Sequence, residues 1–324
     1  MKKIIKKILK RIGIYEKIKN MYIRRNKLTK NYKFENRMKN KRKVCFILAG
    51  YKEFSYDIVF GRIKEFVPKD VEVCILSSGK YSEKLSEIAK DNDWSYLSTK
   101  RNNVSLIQNQ ANFLFKNAEY IYKLDEDIFV TKNYFDILYK TYNECKKNGE
   151  YKIGFVAPTI PINGFSHMLI LERFKLKEKY TKLFEKPKYC AGSDRMVENN
   201  PDVAKFFWGE NNFLPNIDEI SSILQKDDFS YVACPIRFSI GAILYTRSFW
   251  EEIGMFTVPK GNGMGADEEE ICGYATKTSN AIIISKNVAV GHLSFGTQNA
   301  TMKEYYLNNR EIFSIHNMKK WFKL

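Results

Sequence analysis

At 324 residues, with 44% hydrophobic and 15% aromatic content, the chain has ample material for a packed core, which excludes a disordered protein. The net charge of +17 is unevenly spread: residues 1–43 hold 18 Lys and Arg against Glu16 and Glu35, while residues 44–324 hold 36 basic and 35 acidic residues. A near-neutral body with a basic end and no recognisable binding module argues against nucleic acid, the weakest reading of the basic end, and none is expected as a partner.

Residues 1–43 are read as a basic amphipathic, membrane-associating segment. Ile4, Ile5, Ile8, Leu9 and Ile12 share one helical face, and Lys2, Lys3, Lys6, Lys7, Lys10 and Arg11 take the other. A less regular set, Ile14, Tyr15, Ile18, Met21 and Tyr22, extends the stripe past Gly13. Such a helix suits an anionic membrane surface, where each cation contributes about 1 kcal/mol. A helix packed on the protein's own surface gives the same pattern.

The body, 44–324, begins with strand-like runs at Val44–Ala49, Val71–Leu76, Trp94–Leu97 and Tyr120–Leu124, separated by helix-like stretches at Tyr56–Phe66, Lys80–Lys90 and Val104–Asn117. Alternation at this spacing predicts an α/β domain with a wound, mainly parallel mixed sheet flanked by helices, whose ligands lie beyond the carboxyl ends of the strands. A further strand, Ile153–Ala157, is expected to stop at Pro158. Residues 161–232, rich in Pro, Asn, Lys and aromatic residues with little periodicity, read as a variable insertion that shapes a pocket, or as a plain structural excursion. Ordered structure resumes at Phe238–Tyr245 and Arg247–Gly254, then Ala281–Ser285 and Val288–His292.

Three places carry chemistry. Leu124-Asp125-Glu126-Asp127 ends a strand in acids, and because strand side chains repeat with period two, Asp125 and Asp127 project to one side and can grip a divalent cation. A bare D-x-D is most often only a solvated acidic turn. The loop Lys260–Gly265, with three glycines and freedom to close over a site, leads into Asp267-Glu268-Glu269-Glu270; these acids suit a helix N-terminus, and one of them also suits a general base. His292, at the end of an apolar run, is either structural or the imidazole that completes an oxygen-rich site, which favours Mn²⁺ over Ca²⁺. His167 and His316 remain unassigned.

Cys45, Cys74, Cys145, Cys190, Cys234 and Cys272 are widely spaced without a C-x-x-C pair and sit mostly in apolar runs, the pattern of buried thiols in a reducing compartment. No apolar stretch spans a bilayer and no signal-peptide block is present, so the expected location is cytoplasmic, peripheral on the inner face of the cell membrane.

The order of these elements resembles the GT-A fold glycosyltransferases, especially the inverting family 2 type of bacteria. The residues that carry the likeness are Leu124-Asp125-Glu126-Asp127, Gly241-Ala242-Ile243-Leu244 running to Ile253-Gly254-Met255-Phe256, the loop into Asp267-Glu268, and His292, over about residues 44 to 300 less the insertion. The resemblance implies a nucleotide site at Ala49, Gly50, Tyr51, Glu53, Ser77 and Ser78, with Asp125 shared between diphosphate and metal. It implies metal ligation by Asp125, Asp127 and His292, a divalent cofactor (Mn²⁺ or Mg²⁺), and a base at Glu268 or Asp267, of which the register on Ile271-Cys272 prefers Glu268. The family often has an aspartate for the base ring where this chain has Ser77-Ser78-Gly79.

The implied function is metal-dependent hexosyl transfer with inversion from a nucleotide-diphosphate sugar, a UDP-sugar foremost, to a glycan or lipid-linked hydroxyl acceptor in bacterial surface glycan synthesis, capsule or lipopolysaccharide. The rival readings are a nucleotidyltransferase, against which the single glycine of Ala49-Gly50-Tyr51-Lys52-Glu53 counts, and a non-catalytic scaffold with a decayed site.

Overall fold

A computed structural model describes residues 26–190 and 196–315, together with Leu9, Tyr15 and Met21. Most of residues 1–25, on which the membrane-associating reading rests, and His316 lie outside the described residues. Among the described residues no helix is long and apolar enough to cross a membrane.

The chain enters through β1 (Tyr32–Glu35) and continues with β2 (Lys43–Leu48), helix α1 (Tyr56–Phe66), β3 (Val71–Ser78), α2 (Glu83–Asp91), β4 (Ser95–Thr99), α3 (Val104–Leu114), β5 (Tyr120–Asp125) and β6 (Ile128–Phe129). Next come α4 (Tyr134–Asn148) and β7 (Lys152–Thr159), then five helices: α5 (His167–Arg173), α6 (Lys177–Leu183), α7 (Met196–Asn199), α8 (Pro201–Phe207) and α9 (Ile217–Lys226). The last part runs β8 (Tyr231–Cys234), β9 (Ala242–Thr246), α10 (Arg247–Ile253), α11 (Ala266–Lys277), β10 (Asn280–Ala289), β11 (Gly291–His292), α12 (Asn299–Asn308) and α13 (Arg310–Phe313).

Nine strands form one mixed sheet in the order β1-β4-β3-β2-β5-β9-β7-β10-β8, and β6 pairs with β11 in a small antiparallel ribbon. Strands β4, β3, β2 and β5 run parallel, as the alternation predicts; β9 lies antiparallel between β5 and β7. From β2 the chain moves outward to β3 and β4, then crosses back to place β5 on the other side of β2. That reversal opens a crevice beyond the carboxyl ends of β2 and β5, where Leu48 stands opposite Asp125.

The central strands are buried on both faces, which is why Val44-Cys45-Phe46-Ile47 and Val73-Cys74-Ile75-Leu76 read as continuous apolar runs rather than alternations. Helix α1 covers one face with Tyr56, Val59, Phe60 and Ile63; each large apolar side chain so buried contributes about 1.5–3 kcal/mol. Five cysteines, Cys45, Cys74, Cys145, Cys234 and Cys272, are buried as expected, and burial pushes the Cys272 thiol up to about 12.

Several local expectations are corrected. Helix α2 begins at Glu83, because the Ser82 hydroxyl caps it by accepting from the Leu85 amide. Strand β7 runs through Pro158 instead of stopping there: its pairing with β10 shifts register between Ile284 and Ala289, and the irregularity tolerates a residue without an amide hydrogen. Residues 161–232 are not irregular. Their helices bury Tyr180, Phe206 and Phe207 in one aromatic cluster, so the weak periodicity reflects short helices rather than a lack of them.

The second half of the basic segment lies on the sheet. β1 pairs antiparallel with β4, Lys43 reaches Asp70 at 2.7 Å, and Lys27 Nζ donates to the carbonyls of Gly254 (3.0 Å) and Met255 (2.7 Å).

Candidate active site

The first acid cluster closes the crevice at the sheet's reversal. β5 ends at Asp125, whose amide donates to Gly241 O (2.8 Å) at the entry to β9. A side chain at Gly241 would come within 3.4 Å of Asp125 Oδ2 and 3.1 Å of Ile128 Cδ1, so glycine lets the two segments approach. Beyond the turn, β6 pairs with β11 so that His292 stands opposite Ile128 and the Leu293 amide donates to Asp127 O at 3.1 Å.

This ribbon brings His292 to Asp127, with Nε2 3.4 Å from Oδ2. The His292 ring packs edge-on against Phe295 at 4.3 Å, and its Nδ1 is buried without a hydrogen-bond partner. Asp127 also accepts from Lys52 Nζ at 2.5 Å, and Lys52 donates to Asn299 Oδ1 at 3.2 Å. Burial opposes the Asp127 charge, but His292 and Lys52 outweigh it and hold the carboxyl below its ordinary range. Desolvation pulls Lys52 the other way, and Asp127 overcomes it, leaving the ammonium raised.

Asp125 accepts from Lys123 Nζ at 2.6 Å, and the same ammonium donates to Ile240 O at 2.9 Å. Lys123 is a buried cation, held charged against its own desolvation by Asp125 and Asp267. Both acids of the D-x-D are therefore paired with lysines. Among the described residues no three His, Cys, Asp or Glu side chains are grouped to hold a metal ion. Asp125, Asp127 and His292, the expected ligand set, do not fit a resident divalent cation as arranged.

The middle acid, Glu126, fastens the two strand ends together. Its carboxylate accepts from the Gly50 amide (2.8 Å), the Tyr51 amide (3.0 Å) and the Tyr56 hydroxyl (2.9 Å). Burial pushes the Glu126 carboxyl up, and the amides of the β2 exit loop offset this only in part. Tyr51 stands out at 63% exposure while its hydroxyl donates to Ser78 O at 3.0 Å; Lys80 Nζ lies 4.8 Å from its ring. The result is an aromatic plate fixed at both ends beside the crevice.

Several of the expected nucleotide contacts already have partners within the chain. Ala49 is buried, and its amide is used by Leu76 O. The Ser77 hydroxyl donates to Lys80 O, and the Ser78 hydroxyl accepts from the Asn103 amide, so both serines brace the loops from below. Glu53 is engaged by Lys84 at 2.9 Å.

The second acid cluster opens α11. Asp267 is buried and accepts from Gln108 Nε2 of α3 at 2.7 Å. Glu268 takes Arg237 Nε at 2.6 Å and the Ile240 amide at 3.3 Å. The preceding loop is tied to the start of α3: Asn103 Nδ2 donates to Pro259 O (3.2 Å) and Gly261 O (3.1 Å), and the Val104 amide to Asn262 O (3.2 Å). Its tip, Met264, is 82% exposed.

Sequence reading gives no role to Lys52, Lys123, Glu126 or Gln108, although Lys52 follows the first predicted strand at a ligand-facing end. For Lys123 the signal was present, since it lies two residues before Asp125 and so on the same face of β5. The others are legible only once β2 and α3 are known to lie against β5 and α11.

No protein-family model matches the chain, and no curated protein does. Among solved structures, the chain is similar to the mannosyltransferase PcManGT from Pyrobaculum calidifontis in complex with GDP-Man and Mn²⁺, with 13% identity, 82% of this chain and 61% of that one covered, and a TM-score of 0.43. It is similar to S. aureus TarS 1–349, with 11% identity, 83% and 64% covered, and a TM-score of 0.42. For TarS 1–349 in complex with UDP-GlcNAc the values are 10% identity, 80% and 61% covered, and a TM-score of 0.40. The chain spans just over three fifths of the length of each.

Proposed function

We propose that this protein transfers a hexosyl group, with inversion, from a nucleotide-diphosphate sugar to a hydroxyl of a glycan or lipid-linked acceptor. The observation that carries the reading is the juxtaposition of the β2 exit loop and the D-x-D at the sheet's reversal, fastened by Glu126.

In this reading the base of the donor, a UDP-sugar foremost, stacks on the exposed Tyr51, and the crevice beyond β2 and β5 takes the diphosphate. The acceptor oxygen attacks the anomeric carbon from the face opposite the diphosphate; the bond to the phosphate oxygen breaks, and a carboxylate receives the acceptor's proton. General-base assistance of this kind contributes about 10²- to 10⁴-fold. Of the two candidate bases, the geometry favours Asp267, because Arg237 occupies Glu268 whereas Gln108 holds one oxygen of Asp267 and leaves the other. The expected divalent cation, Mn²⁺ or Mg²⁺, has no three-donor set among the described residues.

Residues 1–25, with ten Lys and Arg and the isoleucine stripe, would bring the enzyme to an anionic inner membrane face, where a lipid-linked acceptor for a bacterial surface glycan is presented.

The test is a panel of nucleotide sugars scored by thermal shift, followed by measurement of donor consumption in the wild type and in Asp267→Asn. One donor is expected to stabilise the protein, and Asp267→Asn to bind it while turning over about 10²-fold more slowly. A panel in which no nucleotide sugar stabilises the protein overturns the reading.

A further inference from the structure

We propose that Lys52 is the protein's own cation for the donor diphosphate, standing where a divalent ion is expected in a D-x-D site. The inference rests on the nucleotide-sugar reading above and concerns what neutralises the leaving group.

A carboxylate pair recruits a metal by offering oxygens that lack another cation. Here neither acid offers a free pair. Lys52 Nζ sits on Asp127 Oδ2 at 2.5 Å, Lys123 Nζ on Asp125 Oδ1 at 2.6 Å, and the intervening Glu126 is turned onto the amides of Gly50 and Tyr51. Asp127 and Lys123 side chains are each only 3% exposed. A divalent ion would have to part each acid from its lysine, in pairs of which one member is enclosed, and leave two ammonium groups beside it, which is unfavourable by repulsion above all.

The two lysines are not equivalent. Lys123 is enclosed and its contacts are Asp125 and Ile240 O, so it acts as a positioning residue. Lys52 is 24% exposed and stands on the β2 exit loop, in the crevice where a diphosphate would lie. An ammonium carries three donors, and Asp127 and Asn299 take two, leaving one N–H for a phosphate oxygen. Asp127 and Asn299 thus aim the cation, and the strand pairing that sets Asp127 sets its position. When the glycosidic bond to the phosphate oxygen breaks, the electron pair stays on the diphosphate; Lys52 stays protonated and stabilises that charge, while the acceptor's proton goes to the base.

The experiment is calorimetric titration of the full chain with UDP and with GDP, each in EDTA and in Mn²⁺, for the wild type, Lys52→Gln and Lys52→Arg. The expected result is that one diphosphate binds the wild type equally well in both media, that Lys52→Gln weakens it by about tenfold or more in EDTA, and that Lys52→Arg restores most of the loss. Binding seen only with Mn²⁺ overturns the proposal and leaves the nucleotide-sugar reading standing; absence of binding in both media overturns both. The comparison of media uses the wild type alone, so it decides the question even if a variant fails to fold.

Discussion

Asp127 is a buried carboxylate between an ammonium and an imidazole, and its position makes it a stability element as well as a site residue. Its pKa is lowered in the folded state, so its contribution is present above the unfolded carboxylate value of about 3.9 and is lost as pH falls below it. Lys52 is raised, so its contribution is complete below about 10.4 and is lost only at higher pH. The pair therefore stabilises the fold throughout the interval between these values. Asp127→Asn is expected to cost up to about 3 kcal/mol at neutral pH, less than a fully buried pair because Lys52 reaches solvent. Urea midpoints measured at stepped pH should show the gap between variant and wild type narrowing below pH of about 4; parallel profiles would refute the account.

At the scale of elements, the short ribbon of β6 and β11 is the piece that makes the site, because it alone brings His292 to Asp127. It depends on Gly291. A Cβ there would fall 2.2 Å from Trp208 Cη2 and 2.9 Å from Cζ2, and Trp208 is wedged between Phe129 (5.3 Å) and Phe313 (4.5 Å). With both neighbours themselves buried, the indole has no room to yield. Gly291→Ala is therefore expected to destabilise the protein by about 1–3 kcal/mol or more and to reduce turnover along with stability. Denaturant unfolding gives the first and donor consumption the second. Unchanged stability would show that the ribbon is softer than its packing indicates.

At the scale of the molecule, the basic segment divides in two. Residues 26–43 contribute β1 and Lys27 to the fold, whereas residues 1–25 carry the isoleucine stripe and ten cations. Removing residues 1–25 is expected to abolish co-sedimentation with anionic vesicles and leave the melting temperature nearly unchanged. Removing residues 1–43 should also lower the melting temperature, because it strips the edge of β4 and frees the Lys27 contacts on the turn after α10. Retained vesicle binding by the shorter truncation would dismiss the membrane role, and equal melting temperatures of the two truncations would dismiss the structural one.

Much of this was written in local patterns. The apolar runs of Val44–Ala49, Val71–Leu76 and Tyr120–Leu124 and the helical stretch Tyr56–Phe66 declare themselves because strand and helix periodicities are properties of neighbouring residues, and the acids at 125–127 and 267–268 stand out against near-neutral surroundings. The partners of those acids were not legible in the same way. Lys52, Gln108, Asn299 and Trp208 lie 75, 159, 172 and 83 positions in sequence from Asp127, Asp267, Asp127 and Gly291, and only the crossing from β4 back to β5, the insertion of β9 and the β6–β11 ribbon bring them together. The sequence by itself therefore determined a wound α/β domain with two acidic clusters at its strand and helix ends. That the acids of the first cluster pair with Lys52 and Lys123 was decided by the tertiary structure, because charge pairing depends on distance in space and the sheet's strand order sets that distance.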